Sequence, residues 1–472
     1  MLSAFHGSYE LNGGTRGFSL ERFDLVVAGA GTAGSTAAAK AAKAGLKVCL
    51  VDAKAEEDIG RKICGDAIGK HHFDNLGMGT LDPDAIERVM EGVKIYSPDE
   101  KTAYVVRGER MYGYILNRHR FGQRLLKDAL GAGVLLYEKT QVLEPLIEDG
   151  FVCGVSARSS DTGERRTLRS SVVIEATGFF ATLRRKLSPD FGIDIEVDKR
   201  DVEACYREIR QLKQPLDEST LCRIYLTQAK TPGGYYWIFP EGGSKVNVGL
   251  GVAMTGKFPN PKDQLYRYVL SQPEFDGSSI IDKGAWYVPT RRPLNSMVAN
   301  GIIVVGDAAC QANPIHGGGI GPSMIGGTLA VTNAMKAMEK NDVSREGLWG
   351  YNPDYMRDYG AKQAGLEIFR ILLQNMDDDD LNYGMHYRLL TEEDVLKASM
   401  GEDTTFTINE KVRIAFRGAK KPGLLRKLRN SAKSMRKIKA WYKNYPASSK
   451  EFEKWKAGAE ELFRKAVGKL KN

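Results

Sequence analysis

The chain has 472 residues, 42% hydrophobic and 27% charged, with a net charge of +9, a profile that fits a soluble globular protein with one large core or two and an appendage. No apolar stretch reaches the ~20 residues that cross a bilayer, and six cysteines without CxxC or other ligand spacing speak against structural zinc and for free thiols in a reducing, cytoplasmic setting. The charge is local: residues 411–450 hold fourteen Lys or Arg and no acid, so the rest of the chain is mildly acidic and a local anionic partner is expected rather than nucleic acid.

Residues 1–22 lack the basic and apolar regions of a signal peptide and read as a leader or extension without fold content. From Phe23 to Ala53 an apolar β-branched run enters Gly29-Ala-Gly31-Thr-Ala-Gly34, an Ala-rich helical stretch follows, and a second apolar run ends at Asp52. This is a complete βαβ context for a dinucleotide. Gly29 allows the tight turn, Gly31 the approach of a pyrophosphate, Gly34 close helix packing, and Asp52 suits a ribose hydroxyl. Next comes "RKICGDAIGK", with Cys64 behind two cations, Arg61 and Lys62, which are expected to lower its pKa. It is either a small residue in a tight turn or a thiol beside a redox cofactor.

Strands and turns alternate over 195–300 and predict an antiparallel sheet. Within it, Tyr235, Trp237 and Phe239 alternate onto one face of a hairpin turned by Glu-Gly-Gly-Ser. They form either a flat apolar wall for a ligand or ordinary sheet core. A buried run, Ile302 to Val305, then leads into Gly306-Asp307 and a Gly-rich turn opening a small-residue helix. Beyond 346 the pattern is helical. The run Asp377 to Asp380 reads as an exposed loop, and His71, His72 and His316 as solvated or structural, without metal-like grouping. In 422–445, Leu424, Leu425, Leu428, Met435, Ile438 and Trp441 share one stripe with Lys and Arg elsewhere. This is either a membrane-surface helix drawn to anionic head groups or a helix packed on the body with a basic outer face.

The Gly306-Asp307 unit resembles flavoproteins of the para-hydroxybenzoate hydroxylase type, in which the Asp bonds the ribityl chain and the next helix points at the flavin. Four signatures sharpen this: "KICGD" (62–66), "YYWIFPEGGSKVNVGLG" with Tyr235-x-Trp237-x-Phe239-Pro240 and Gly249-x-Gly251, "PTRRPL" (289–294) and "GDAACQANPIHGGGI" (306–320). Together they resemble the geranylgeranyl reductase family, including archaeal enzymes that saturate the isoprenoid chains of membrane lipids, over about residues 23–345. The resemblance implies an α/β fold: a discontinuous Rossmann-type FAD-binding domain (23–190 and 301–345), an antiparallel substrate domain (195–300) that holds the prenyl chain, and a helical C-terminal region (346–472).

It further implies FAD contacts at Gly34, Asp52, Cys64, Gly65, Ala67, Arg118, Val142, Asp307, Gly319 and Ile320, and a substrate surface of Tyr235, Trp237, Phe239, Pro240, Gly249 and Gly251. Where many relatives have Asp-Gly-x-x-Ser, this chain has Thr177-Gly178 and Ala181, so no flavin contact is assigned there. The implied reaction adds a hydride from reduced FAD and a proton to each C=C of a geranylgeranyl lipid or diphosphate, with Cys64 as proton donor. Cys310 is expected to approach the same volume, as a second catalytic thiol or the partner of Cys64 in a redox disulfide. Ferredoxin, a deazaflavin or a transient nicotinamide remain open as electron donors. An aromatic monooxygenase or halogenase of the same fold is the alternative, and peripheral binding to the cell membrane is expected if the basic helix lies on lipid.

Overall fold

Among the described residues three sheets, of eight, seven and three strands, organise the fold. The computed structural model describes residues 20–108, 111–399, 414 and 417–471, so most of the expected leader lies outside the described residues; the first strand, Leu20–Ala28, begins within it. This strand runs parallel to Val48–Val51 on one side and to Arg165–Glu175 on the other, and Leu135–Tyr137 and Ile302–Val304 extend the parallel layer. Helix Thr32–Lys43 packs against Arg118–Gly131 and Ile320–Glu339. Continuous apolar runs are what a parallel strand covered on both faces requires, and Leu25, Val26, Val27 and Ala28 are all fully buried. A hairpin, Thr140–Glu148 with Phe151–Ser159, pairs antiparallel with the first half of Arg165–Glu175.

The seven-stranded sheet has the order Ser279–Pro289, Val202–Gln211, Lys245–Ala253, Tyr235–Pro240, Leu221–Leu226, Gly92–Tyr96, Ala103–Arg107. The last two strands correct the expected division, which put them in the cofactor unit. Gly92–Tyr96 pairs parallel to Leu221–Leu226, a long-range pairing that period-2 patterning alone does not reveal. On one face Tyr206, Tyr225, Tyr236, Val248 and Leu250 form a separate core with Leu265 of helix Pro261–Tyr268. Tyr96, Tyr225 and Tyr236 stack there with ring centroids 4.4 and 4.3 Å apart. The other face turns Trp237, Phe239 and Cys222 toward Ala67 of a small sheet, Ala67–Gly69, Gly113–Leu116 and Ile86–Met90, that joins the two units.

Helix Pro422–Lys443 packs on helices Ala361–Gln374 and Phe452–Lys471. Leu424, Ile438 and Tyr442 are buried in the main core, with Leu425, Leu428 and Met435 packed against it. All of the apolar stripe except Trp441, which is 37% exposed, is thus spent inside the protein, while Arg426, Arg429, Lys433, Arg436 and Lys437 remain exposed. The rest of the basic segment, 411–413 and 415–416, lies outside the described residues. Among the described residues no helix is long and apolar enough to cross a membrane. The acidic run is not a loop: Asp377 caps helix Asp378–His386, accepting from the Asp380 N–H at 2.7 Å, and Asp378 accepts from the Gln228 N–H at 2.6 Å. "PTRRPL" ties these helices to the sheets, because Arg292 pairs with buried Glu367 at 2.8 Å and lies 3.9 Å from the Phe463 ring centroid.

Candidate active site

The first turn is built as the fingerprint predicts. Gly29 has φ +101°, and a Cβ on Gly34 would lie 1.8 Å from the Gly29 carbonyl oxygen, so only glycine lets the helix start this close to the strand. Gly31 meets nothing within 4 Å; its outer side faces a cleft lined by Thr32, Asp52, Lys54, Lys62 and Arg118. The Asp52 carboxylate accepts from the Ala30 N–H at 2.7 Å and the Lys54 N–H at 2.9 Å, which fixes the turn against the second strand. Arg118, the first residue of its helix, is buried and donates to Thr32 Oγ1 at 2.5 Å, while its Nε has no partner. Val142 is buried in the neighbouring hairpin strand.

Asp307 closes the other side, 2.8 Å from Lys62 Nζ and beside Gly319, with Ile320 opening the 20-residue helix. A cleft edged by a helix N-terminus, three cations and an orphaned guanidinium N–H suits a dinucleotide pyrophosphate.

Residues 64–66 cross from this cleft onto the aromatic face. A Cβ on Gly65 would sit 3.1 Å from the Phe239 ring and 3.6 Å from Trp237 Nε1, so the loop rests directly on both side chains. Trp237 and Phe239 are 7% and 6% exposed, and what they chiefly present is the loop they carry. Tyr235 is half-buried and donates to the His316 carbonyl at 2.8 Å. Pro240 is buried at the strand end. Gly249 is what lets the indole lie flat: a Cβ there would be 2.5 Å from Trp237 Cζ2 and 2.7 Å from the Tyr206 carbonyl oxygen. Gly251 faces Glu203 and Cys205, and burial lifts the Glu203 carboxyl to about 7.

The loop is held by residues that sequence reading missed. Asn247, fully buried, accepts from Trp237 Nε1 at 2.9 Å and donates to the Cys64 carbonyl at 3.0 Å and to Asp66 Oδ2 at 2.9 Å. Arg207 Nε donates to the same Cys64 carbonyl at 3.2 Å, and its Nη1 pairs with Asp282 at 2.7 Å. One signal was available: Asn247 stands in "KVNVGLGVA" where an inward position is otherwise apolar or glycine, and a buried amide needs partners.

Cys64 itself is half-buried, and its Sγ accepts from the Asp66 N–H at 3.3 Å. The cations do not win: Arg61 pairs with Asp58 and Lys62 with Asp307, and although Arg118 and Lys62 pull the pKa down, burial, followed by the Asp66 charge, pushes the thiol up. Cys310 forms no disulfide with it. Cys310 takes the left-handed conformation at φ +58° and buries its thiol in the main core, whereas Cys64 packs in the cluster of Phe73 and Leu116. All six cysteines are free. His71 and His72 lie half-buried with ring centroids 4.2 Å apart, tilted by 37°, and desolvation lowers the pKa of both, His72 to about 3. His316 is exposed, as a solvated histidine would be, and its ring Nδ1 accepts from the Gly318 N–H at 3.1 Å. Among the described residues no group of side chains has the make-up of a metal site.

A family model described as geranylgeranyl reductase catalytic domain matches residues 201–288, and one described as lycopene cyclase protein matches 24–204. The digeranylgeranylglycerophospholipid reductase of Sulfolobus acidocaldarius is 42% identical over 94% of this chain and 97% of its own. That of Methanothrix thermoacetophila is 34% identical over 80% of this chain and 94% of its own. Among solved structures, a geranylgeranyl bacteriochlorophyll reductase-like protein from Thermoplasma acidophilum superposes with a TM-score of 0.74 at 25% identity, covering 88% of this chain and all of that one. The myxobacterial halogenase CndH, at 18% identity and a TM-score of 0.60, shares the fold over 94% of this chain and 97% of its own. With the fingerprint cleft, the loop at 64–66 and the aromatic strand in one place, the chain belongs to the digeranylgeranylglycerophospholipid reductase family.

Proposed function

We propose that this chain is an FAD-dependent reductase that saturates the C=C bonds of geranylgeranyl chains in isoprenoid membrane lipids. The observation that carries the reading is the course of the 61–66 loop, whose Lys62 lines the dinucleotide cleft while its Gly65 rests on the Trp237 and Phe239 rings. The residues present suit FAD: Asp52 and the Gly29–Gly34 turn for one half, Arg118 and the helix N-terminus for the phosphates, Asp307 for the ribityl chain. When bound and reduced, FAD supplies the hydride. Gly65 and Ala67 hold the loop on the aromatic face, and Tyr235 ties that face to the His316 turn. Burial keeps water from the reacting carbon. A thiol whose pKa is raised stays protonated at neutral pH, the state a proton donor needs.

The test is anaerobic incubation of dithionite-reduced enzyme with geranylgeranyl diphosphate and, separately, with a digeranylgeranyl phospholipid, reading product masses. Successive gains of two hydrogens are expected. A yellow, reducible protein that leaves both lipids unchanged refutes the reading. Cys64→Ser should keep FAD and lose roughly 10²- to 10⁴-fold in turnover, the range for general acid catalysis. The exposed cations Arg426, Arg429, Arg436 and Lys437 support a second element, peripheral contact with anionic lipid. Their replacement by Gln should reduce sedimentation with phosphatidylglycerol vesicles, and unchanged, salt-insensitive binding refutes it.

A further inference from the structure

Resting on Cys64 as the proton donor, we propose that Asp66 is its proton reservoir, a buried carboxylic acid that re-protonates the thiolate between successive reductions. Asp66 is 2% exposed, lies in the left-handed region at φ +60°, and its N–H reaches Cys64 Sγ at 3.3 Å.

The two carboxyl oxygens are not equivalent. Oδ2 accepts from Asn247 Nδ2, whereas Oδ1 is buried with no hydrogen-bond partner. The amide cannot turn over to change this, because Trp237 Nε1 is a donor only and requires Asn247 Oδ1. A buried carboxylate oxygen without a donor is costly, and protonation or sharing a proton with a thiol relieves the cost.

Burial outweighs the charged groups facing Asp66. Arg207, paired with Asp282, and Arg118, bonded to Thr32, favour its ionisation, while Glu241, buried beside Lys245, opposes it. Cys64 faces Asp66, Arg118 and Lys62. Burial lifts Asp66 to about 7 while the thiol lies above its own usual value. The carboxyl is thus the stronger acid, and transfer to the thiolate is downhill.

The balance is simple. Saturation of one double bond adds a hydride, with both electrons from the reduced flavin, to one carbon. It also adds the Cys64 proton to the other, breaking S–H and forming C–H. The Asp66 O–H then breaks as S–H re-forms, and Asp66 regains its proton from solvent. No electrons pass through Asp66.

Asp66→Asn preserves shape and the Asn247 contact but carries no transferable proton. With FAD-loaded enzyme kept reduced by excess dithionite, the first double bond should be reduced within about threefold of the wild-type rate, because Cys64 starts protonated, while conversion to the fully saturated chain falls at least tenfold. An unchanged rate of full saturation, with Cys64→Ser inactive, overturns the reservoir and leaves the donor standing. Activity in Cys64→Ser overturns the donor itself.

A readout independent of turnover is the pH dependence of Cys64 alkylation by iodoacetamide, followed by peptide mass. Loss of the neighbouring charge in Asp66→Asn should raise the rate at pH 8 about tenfold, one pKa unit. An unchanged profile overturns the coupling. Should the variant lose FAD, the wild-type profile decides: an inflection near pH 7, where Asp66 ionises, supports the coupling, and a uniform tenfold rise per pH unit overturns it.

Discussion

Gly249→Ala is a one-carbon test of how the site is assembled. The new Cβ would lie 2.5 Å from Trp237 Cζ2, 2.6 Å from Arg207 Cβ and 2.7 Å from the Tyr206 carbonyl oxygen. The backbone carbonyl is pinned in the ladder between Tyr206 and Leu250, so the indole must give way. Overpacking of this kind costs about 1–3 kcal/mol, and displacing Nε1 from Asn247 forfeits a buried hydrogen bond worth about 0.5–1.5 kcal/mol. The sum is a loss of about 1.5–4.5 kcal/mol.

Gly251→Ala on the same strand is the control. Its Cβ would meet only the ends of Glu203 and Cys205, at 3.0 and 3.2 Å, which can shift by a few tenths of an ångström. Urea unfolding followed by tryptophan fluorescence should show a much larger midpoint shift for Gly249→Ala. Flavin content should be retained in both variants, and kcat should fall mainly in Gly249→Ala because Asn247 no longer orients the 64–66 loop. Equal effects of the two substitutions would refute the claim that Gly249 exists to seat Trp237.

Three further outcomes are expected. Arg118→Ala should weaken FAD binding about 10- to 100-fold, the loss of a charged hydrogen bond worth about 1.5–3 kcal/mol, and flavin fluorescence titration reads it; an unchanged Kd rejects the assignment. Arg292→Leu takes from buried Glu367 its partner at 2.8 Å and leaves only the longer contact with Arg370 at 3.7 Å; it should destabilise by up to about 3–5 kcal/mol, whereas Arg292→Leu with Glu367→Leu recovers most of that in urea unfolding. Asp66 binds its proton more tightly folded than unfolded, so its contribution is fully present below pH ~4 and is lost as pH rises toward about 7; the urea midpoint should fall across that window and Asp66→Asn should flatten the fall.

Local chemistry alone determined much of this protein. The Gly29–Gly34 turn with Asp52, the Gly306-Asp307 unit, the aromatic alternation of 235–239 and the helical tail are patterns whose meaning lies within a few residues, because turn geometry and side-chain period are local properties. Tertiary structure decided the rest. The strands at 92–107 joined the second sheet through a parallel pairing with residues 221–226, an arrangement no local period encodes. The stripe of Pro422–Lys443 could face lipid or protein equally well until Ala361–Gln374 covered it. Cys64 looked activated by Arg61 and Lys62 because sequence neighbours are visible and counter-ions are not; Asp58 and Asp307 claimed both cations. Cys310 was turned into the core by its own left-handed backbone. Asp66 stood in plain view in "KICGD", but its character comes from Asn247, Trp237 and Arg207, 141 to 181 residues away in the chain. A carboxyl's proton affinity is set by what surrounds it in space, and folding alone supplies those surroundings.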